Sequence, residues 1–199
     1  MVLSLRKKVI PDPYLTQPVR TDRFDLVNCT KAEALKITLP WASNPDTLHN
    51  LMYKQASYTN LEWTKQLGTP DGRNLFYHAI VARDIKGTIG AHRLKIDESG
   101  TATMAIVLSA KSWWGKGVFE EVRTGLMDHF ARSPLVVRFF GRVITRNVSS
   151  VYNYQKLGFR LIGYDQKSWR SPVTDELVDT MFFEYLAEDW RAKRGLDLL

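Results

Sequence analysis

The stretch TRNVSSVYNYQKLGF, residues 145–159, carries the reading of this fold. It follows an apolar strand pattern, LVVRFFGRVIT (135–145), and reads as a short helix. Asn147 and Ser150 suit a helix start, where a side-chain oxygen accepts an otherwise unpaired backbone N–H. Val151, Tyr154 and Leu157 fall on one helical stripe, and Gly158 stops it. The spacing N-x-x-S-x-x-x-Y-x-K-x-G-F therefore places a phenol, Tyr154, and a cation, Lys156, on a strand–helix unit. Taken alone, Tyr154 reads equally well as a core tyrosine.

About 30 residues upstream lies a second strand–helix junction, SWWGKGVFEE (112–121). Glycines let a backbone approach a phosphate, and the first N–H groups of a helix lack internal partners and attract anions. The run is not a P-loop, because the GK[ST] ending is missing, and not a dinucleotide fingerprint, because a third glycine is absent. A plain glycine turn is the alternative. Val118, Val122, Leu126 and Phe130 then recur every four residues, which predicts a helix with one apolar stripe.

Working outward, RFDLVNC from residue 23 reads as a strand, and Thr30 with Glu33 forms a capping box that opens a helix to about Leu39. Asn44 and Pro45 start a helix to about Ser57, and a third runs from Asn60 to Gly68. LFYHAIVAR (75–83), GTIGAHRLKI (87–96) and TATMAIVLSA (101–110) read as an antiparallel meander. FRLIGYDQKSW and ELVDTMFFEYLAEDW supply a last pair of strands. The order predicts an α/β (α+β) domain: a mixed, mostly antiparallel sheet of six to seven strands with helices on both faces.

Composition narrows the class. Hydrophobic residues at 44% and charged residues at 25% describe a globular chain, and 199 residues suffice for one domain. We expect a leader over 1–20, mobile or draped on the surface, and one domain over 21–199. The longest apolar run, MAIVL, is too short to cross a membrane. One cysteine, Cys29, forms no internal disulfide, so a reducing cytoplasmic setting is expected. The formal charge of +7 sits between Ala131 and Arg170, where eight basic residues face one acid, Asp165. Such a field suits an anionic ligand, phosphate or nucleic acid, and equally a solvated basic face.

The tyrosine segment and the glycine loop together resemble the GNAT acetyltransferase superfamily, over about Thr21 to Trp190. The likeness is nearest to the Rim-type branch that acetylates ribosomal-protein N-termini. It rests on TDRFDL, on Trp41 to Pro45, on Trp114–Gly115–Lys116–Gly117, and on Asp179, Tyr185 and Trp190. The resemblance implies a fourth and fifth strand that splay apart, acetyl-CoA as cosubstrate, no metal, and direct acetyl transfer to a primary amine. The acceptor would be a protein N-terminus or a small amine such as an amino sugar. A non-catalytic acyl-CoA-binding or RNA-associated module on the same fold is the rival reading.

Carried over residue by residue, the loop Trp114, Gly115, Lys116, Gly117 and Val118 would hold the pyrophosphate. Ile106, Val107 and Leu108 would line the acyl donor, where a backbone N–H stabilises the oxyanion. Asn147, Ser150 and Lys156 would contact the CoA arm, and Tyr154 would protonate the leaving thiolate. Phe119 stands where the family has a small residue. We expect it to join the apolar stripe with Val118 and Val122 rather than obstruct the donor.

No carboxylate occupies the fourth strand, so the general base is open. His92 and Glu62 are the candidates, with His78 beside them; both histidines alternate with apolar neighbours and read also as core residues. A water chain would need no single base. Trp41 would shape a pocket or pack, Trp63 would pack, and Trp169 and Arg170 would sit exposed at a hairpin tip bordering the acceptor. The surplus cations leave RNA or ribosome contact open, and a homodimer is also open.

Overall fold

The computed structural model describes residues 10–199. Eight strands form one sheet: β1 (Val19–Arg20), β2 (Phe24–Asn28), β3 (Leu75–Ala82), β4 (Gly87–Ile96), β5 (Thr101–Leu108), β6 (Arg138–Ile144), β7 (Arg160–Arg170) and β8 (Leu177–Leu186). Among the described residues six α-helices accompany it: α1 (Lys31–Thr38), α2 (Pro45–Asn50), α3 (Asn60–Leu67), α4 (Val118–Phe130), α5 (Val148–Leu157) and α6 (Ala187–Arg194). The strands lie in the order β1-β2-β3-β4-β5-β6-β8-β7, and every pair is antiparallel except β5–β6. The two-residue β1 raises the strand number above the six to seven expected. It is too short to leave an alternating pattern.

Each face of the sheet has its own core. On one face, α4, α5 and α6 pack through Val118, Val122, Leu126, Phe130, Leu157 and Trp190 against alternate residues of the strands, such as Met104, Ile106 and Phe139. On the other, α1 to α3 bring Ala34, Leu48, Trp63 and Leu67 onto Tyr77, Ala79 and Ala91. Trp63 is fully buried and donates its indole N–H to Thr38 Oγ1 at 3.0 Å. Truncation of so large a buried aromatic typically costs about 3–5 kcal/mol.

Several boundaries follow their local chemistry. Thr30 caps α1 and Glu33 closes the reciprocal box. Asn44 caps α2, but that helix ends at Asn50 instead of reaching Ser57. There the chain turns back, and Tyr58 N–H donates to Ala42 O at 2.8 Å. Tyr53 and Tyr58 then pack their rings on Trp63 at 5.1 and 5.6 Å. Burial of two aromatic rings outweighs two further helical turns. The run ELVDTMFFEYLAEDW changes from strand to helix at Ala187, so that Trp190 is buried and its indole bonds Asp128 at 2.9 Å.

Before residue 21, Leu15 is fully buried and Val19 nearly so, both in the α4-side core. Packing thus begins within the stretch expected as a leader. The part of that expectation covering residues 1–9 lies outside the described residues.

Candidate active site

Strands β5 and β6 run parallel and pair at only three positions, Thr101 with Arg138, Ala102 with Phe139 and Thr103 with Phe140. Beyond Thr103 they part. Half the backbone groups of a strand point to each neighbour, so the outer half of β5 turns unladdered N–H and C=O groups into the gap. A cleft of about 1010 Å³ opens there, lined by Ile106, Val107 and Leu108 on one side and by residues 140–143 on the other.

The glycine loop closes one end. Gly115 and Gly117 both have φ of +72°, a left-handed backbone that residues with a Cβ rarely adopt. A Cβ at Gly115 would meet nothing within 4 Å, so the space above it is open. Gly117 is the N-cap of α4 and provides no side-chain cap, which leaves the first amides of a 13-residue helix free at the cleft wall. Gly115, Gly117, Val118 and Phe119 line the cleft. Trp114 lines it too, and its indole N–H donates to Leu108 O at 3.2 Å, tying the loop to the end of β5. Lys116 does not line it; its ammonium lies 5.6 Å from the Trp113 ring centroid. Phe119 is half-buried against the α4-side core as well as facing the cleft. A free helix N-terminus beneath left-handed glycines, with open space over it, fits a pyrophosphate.

A clasp fixes this loop. Glu121, in the first turn of α4, accepts the Thr21 hydroxyl and the Arg23 amide at 2.7 Å each and pairs with the Arg23 guanidinium at 2.6 Å. The same Arg23 donates to Lys116 O at 3.0 Å. Burial raises the Glu121 carboxyl, but these bonds outweigh it and hold it below its usual range. The TDRFDL opening thus acts from a distance on the glycine loop.

Helix α5 forms the other wall. Asn147 accepts the Ser150 amide at 3.2 Å and so caps α5, while both residues also line the cleft. Tyr154 is buried, stacked on Phe183 at 5.1 Å, with its hydroxyl end over Gly141 of β6. Arg123 of α4 lies over the Tyr154 ring, Cζ 4.3 Å from the centroid, and reaches its hydroxyl at 3.4 Å. At the rim, Lys156 pairs with Glu120 at 2.6 Å.

The opposite end is bounded by α2 and the β7–β8 hairpin. Trp41, Asn44, Asp46 and Trp169 line it. His49 of α2 contacts the buried Ser171 hydroxyl at 2.8 Å and meets Trp169 edge-on at 5.3 Å, pinning the hairpin tip over this end. Among the described residues two carboxylates line the cleft, Asp46 and Glu120.

The proposed bases fall elsewhere. His92 is fully buried on the α4 side, its ring 5.8 Å from His78, and among the described residues neither imidazole has a hydrogen-bond partner. Burial holds both well below the usual histidine range, His78 at about 3, and neither borders the cleft. Glu62 is committed to Thr59: it accepts that residue's amide at 2.8 Å and hydroxyl at 2.7 Å in a capping box at the start of α3. These bonds lower its carboxyl, and it too lies outside the cleft lining. The T-x-x-E signature at 59–62 was present in the sequence and assigns Glu62 to the helix end.

Five of the eight basic residues of the segment are ion-paired, through four carboxylates. Arg138 and Arg160 share Glu184, Arg146 pairs with Glu176, Lys156 with Glu120 and Arg170 with Asp175. Their partners come from α4 and from the β8 hairpin, outside the segment, which is why the local charge count overstated the free field. Arg123, Gly141 and Asp46 were not singled out by sequence. Arg123, a charged residue beside the apolar stripe of α4, offered one signal. Gly141 inside a strand pattern offered another.

The sequence matches the family model of the acetyltransferase (GNAT) domain over residues 14–160. The chain belongs to the GNAT acetyltransferase family. Its reaction is N-acetylation, its acyl donor acetyl-CoA. No curated protein matches the sequence. Among solved structures, the chain is similar to a spermidine N-acetyltransferase from Vibrio cholerae in complex with CoA and spermine, at 15% identity and a TM-score of 0.71, covering 84% of this chain and 98% of that one. It is also similar to an acetyltransferase of Salmonella typhimurium that modifies the N-terminal serine of ribosomal protein L7/L12, at 15% identity and a TM-score of 0.68, over 85% and 99%. An aminoglycoside acetyltransferase in complex with ribostamycin and coenzyme A gives 15% and 0.68 over 87% and 98%. These likenesses establish the shared GNAT fold. No helix among the described residues is long and apolar enough to cross a membrane, and no group of three or more metal-ligating side chains occurs among them.

Proposed function

We propose that the β5–β6 cleft is the catalytic site of this acetyltransferase, with Tyr154 as the acid that protonates the leaving thiolate. The observation that carries this reading is the place of the Tyr154 hydroxyl: at the splay, over Gly141, on the cleft wall. The free amides at the start of α4, with Gly115 and Gly117, hold the donor's pyrophosphate. Unladdered amides of β5 around Ile106 to Leu108 polarise the carbonyl. Asn147, Ser150 and Lys156 border the pantetheine arm.

In the step itself the amine nitrogen bonds to the acyl carbon and the C–S bond breaks with its electron pair going to sulfur. The phenol proton passes to sulfur, and the proton shed by the amine returns to Tyr154 through water. The acceptor enters between α2 and the hairpin tip, where Asp46 is the carboxylate facing a cationic amine. The neighbours named above act on a protein N-terminus, spermidine and an aminoglycoside, and this end of the cleft suits a primary amine carried on a polar body. A reducing cytoplasmic setting fits the lone, buried Cys29.

Tyr154→Phe tests the assignment. Turnover of acetyl-CoA with a panel of peptide and small amines, followed by free thiol release, should fall about 10²-fold or more with KM for acetyl-CoA nearly unchanged. Unchanged turnover removes Tyr154 from the reaction. Tight CoA binding with no turnover on any amine by the unsubstituted protein would favour a non-catalytic acyl-CoA-binding module.

A further inference from the structure

Arg123 is an arginine that nothing in the fold requires. It lies in the second turn of α4, on the face that otherwise carries Val122, Leu126 and Met127 into the core, and only 3% of it is exposed. Among the described residues it makes no ion pair, and its buried Nε and Nη1 have no partner. A buried cation with no counter-charge is costly, and an apolar side chain of similar volume would pack there more favourably. What the guanidinium does touch is Tyr154: it lies over the ring, with Cζ 4.3 Å from the centroid, and its Nη2 reaches the phenol oxygen at 3.4 Å. Both side chains border the cleft.

We infer that Arg123 is a positioning residue for the reaction: it aims the Tyr154 proton at the leaving sulfur and stabilises the phenolate left behind. The reasoning is one of hydrogen-bond inventory. A guanidinium only donates, so the Tyr154 oxygen accepts from it and the phenol hydrogen must point elsewhere. Among the described residues the Tyr154 hydroxyl donates to no protein acceptor, Gly141 of β6 crowds its Cε1 side, and Tyr154 lines the cleft, which leaves an acceptor in the cleft for that hydrogen. Once the proton has left, a phenolate remains in a buried site, where an isolated anion is strongly disfavoured. Arg123 supplies the opposite charge in contact with it. The residue thus carries its desolvation cost in the resting protein and recovers it during the step, as electrostatic preorganisation requires.

The inference rests on Tyr154 being the acid, and a double-mutant cycle separates the two claims. Arg123→Met, Tyr154→Phe and the double variant are compared with the unsubstituted protein for kcat, KM for acetyl-CoA and thermal unfolding. Arg123→Met should lower kcat about tenfold or more and leave KM within about twofold. In the Tyr154→Phe background the same change should cost nothing further, because its only target is gone. The solvent isotope effect on kcat should rise in Arg123→Met, since proton delivery becomes limiting. Equal loss in both backgrounds, or no loss in the single variant, overturns the role of Arg123. No loss in Tyr154→Phe alone overturns the acid instead. Should Arg123→Met fail to fold, Arg123→Lys keeps the cation without the planar guanidinium and enters the same cycle, with a smaller but equally Tyr154-dependent loss expected.

Discussion

The Tyr154 ring lies so close to Gly141 that a Cβ built at position 141 would sit 2.2 Å from its Cζ and 2.3 Å from its hydroxyl oxygen. No side chain fits there, so the glycine in β6 sets how far Tyr154 reaches into the splay. Gly141→Ala should push the ring off its present position. The expected result is a loss of about 1–3 kcal/mol in stability, typical of overpacking, with a drop in kcat of about tenfold or more. Thermal unfolding and steady-state turnover on one preparation would check both. Wild-type kcat in Gly141→Ala would mean that the hydroxyl position does not matter.

The Glu121 clasp predicts a remote effect on donor binding. Glu121→Gln removes the charge that holds Thr21, Arg23 and, through Arg23, the Lys116 carbonyl. CoA affinity should weaken about three- to tenfold, although Glu121 itself does not line the cleft. Because the folded carboxyl is depressed, its contribution to stability is present above the unfolded pKa and fades as the pH falls through the lower folded value. Calorimetric titration of CoA at neutral pH would measure the change; an unaltered Kd would show that the loop holds its shape without the clasp.

Glu120 makes the opposite prediction. It places a carboxylate on the cleft rim and occupies Lys156. Glu120→Gln removes a negative charge from the path of an anionic donor and frees a cation, so CoA should bind about threefold more tightly, an advantage that shrinks as salt is raised. Titrations at low and high ionic strength would separate this from a packing effect.

His78 and His92 foretell acid sensitivity. Burial lowers both in the folded protein, so they oppose protonation that the unfolded chain accepts. Their contribution is complete above the unfolded value of 6.5 and is lost as the pH falls, for His78 down to about 3. His78 should account for at most roughly 1 kcal/mol per pH unit across that window, and His92 adds a loss in the same direction. Urea unfolding at pH 7.5 and pH 5 should show the loss, and His78→Leu should make the slope shallower. An unchanged slope would assign the acid sensitivity to other groups.

Much of the scaffold was legible in the chain because it rests on local chemistry. Capping at Thr30 and Asn44, the stops at Gly68 and Gly158, the stripe of α4 and the alternation of β3 to β5 all act within a few residues, so spacing alone reveals them. The glycine loop and the tyrosine segment were legible for the same reason: their left-handed turns and helix starts are written in consecutive residues. The insertion of β8 between β6 and β7 was not, since strand order depends on which edges meet after the chain has returned. Nor was the fate of the isolated polar residues. Whether Glu62 and His92 reach the cleft, whether Arg138 and Arg160 keep a free charge, and what Arg123 faces are set by neighbours up to dozens of residues away. Sequence determined which groups this protein owns and the elements that carry them. Tertiary packing alone decided which of them meet at the splay, because burial, ion pairing and the reach of Tyr154 over Gly141 are properties of surfaces brought together by the fold.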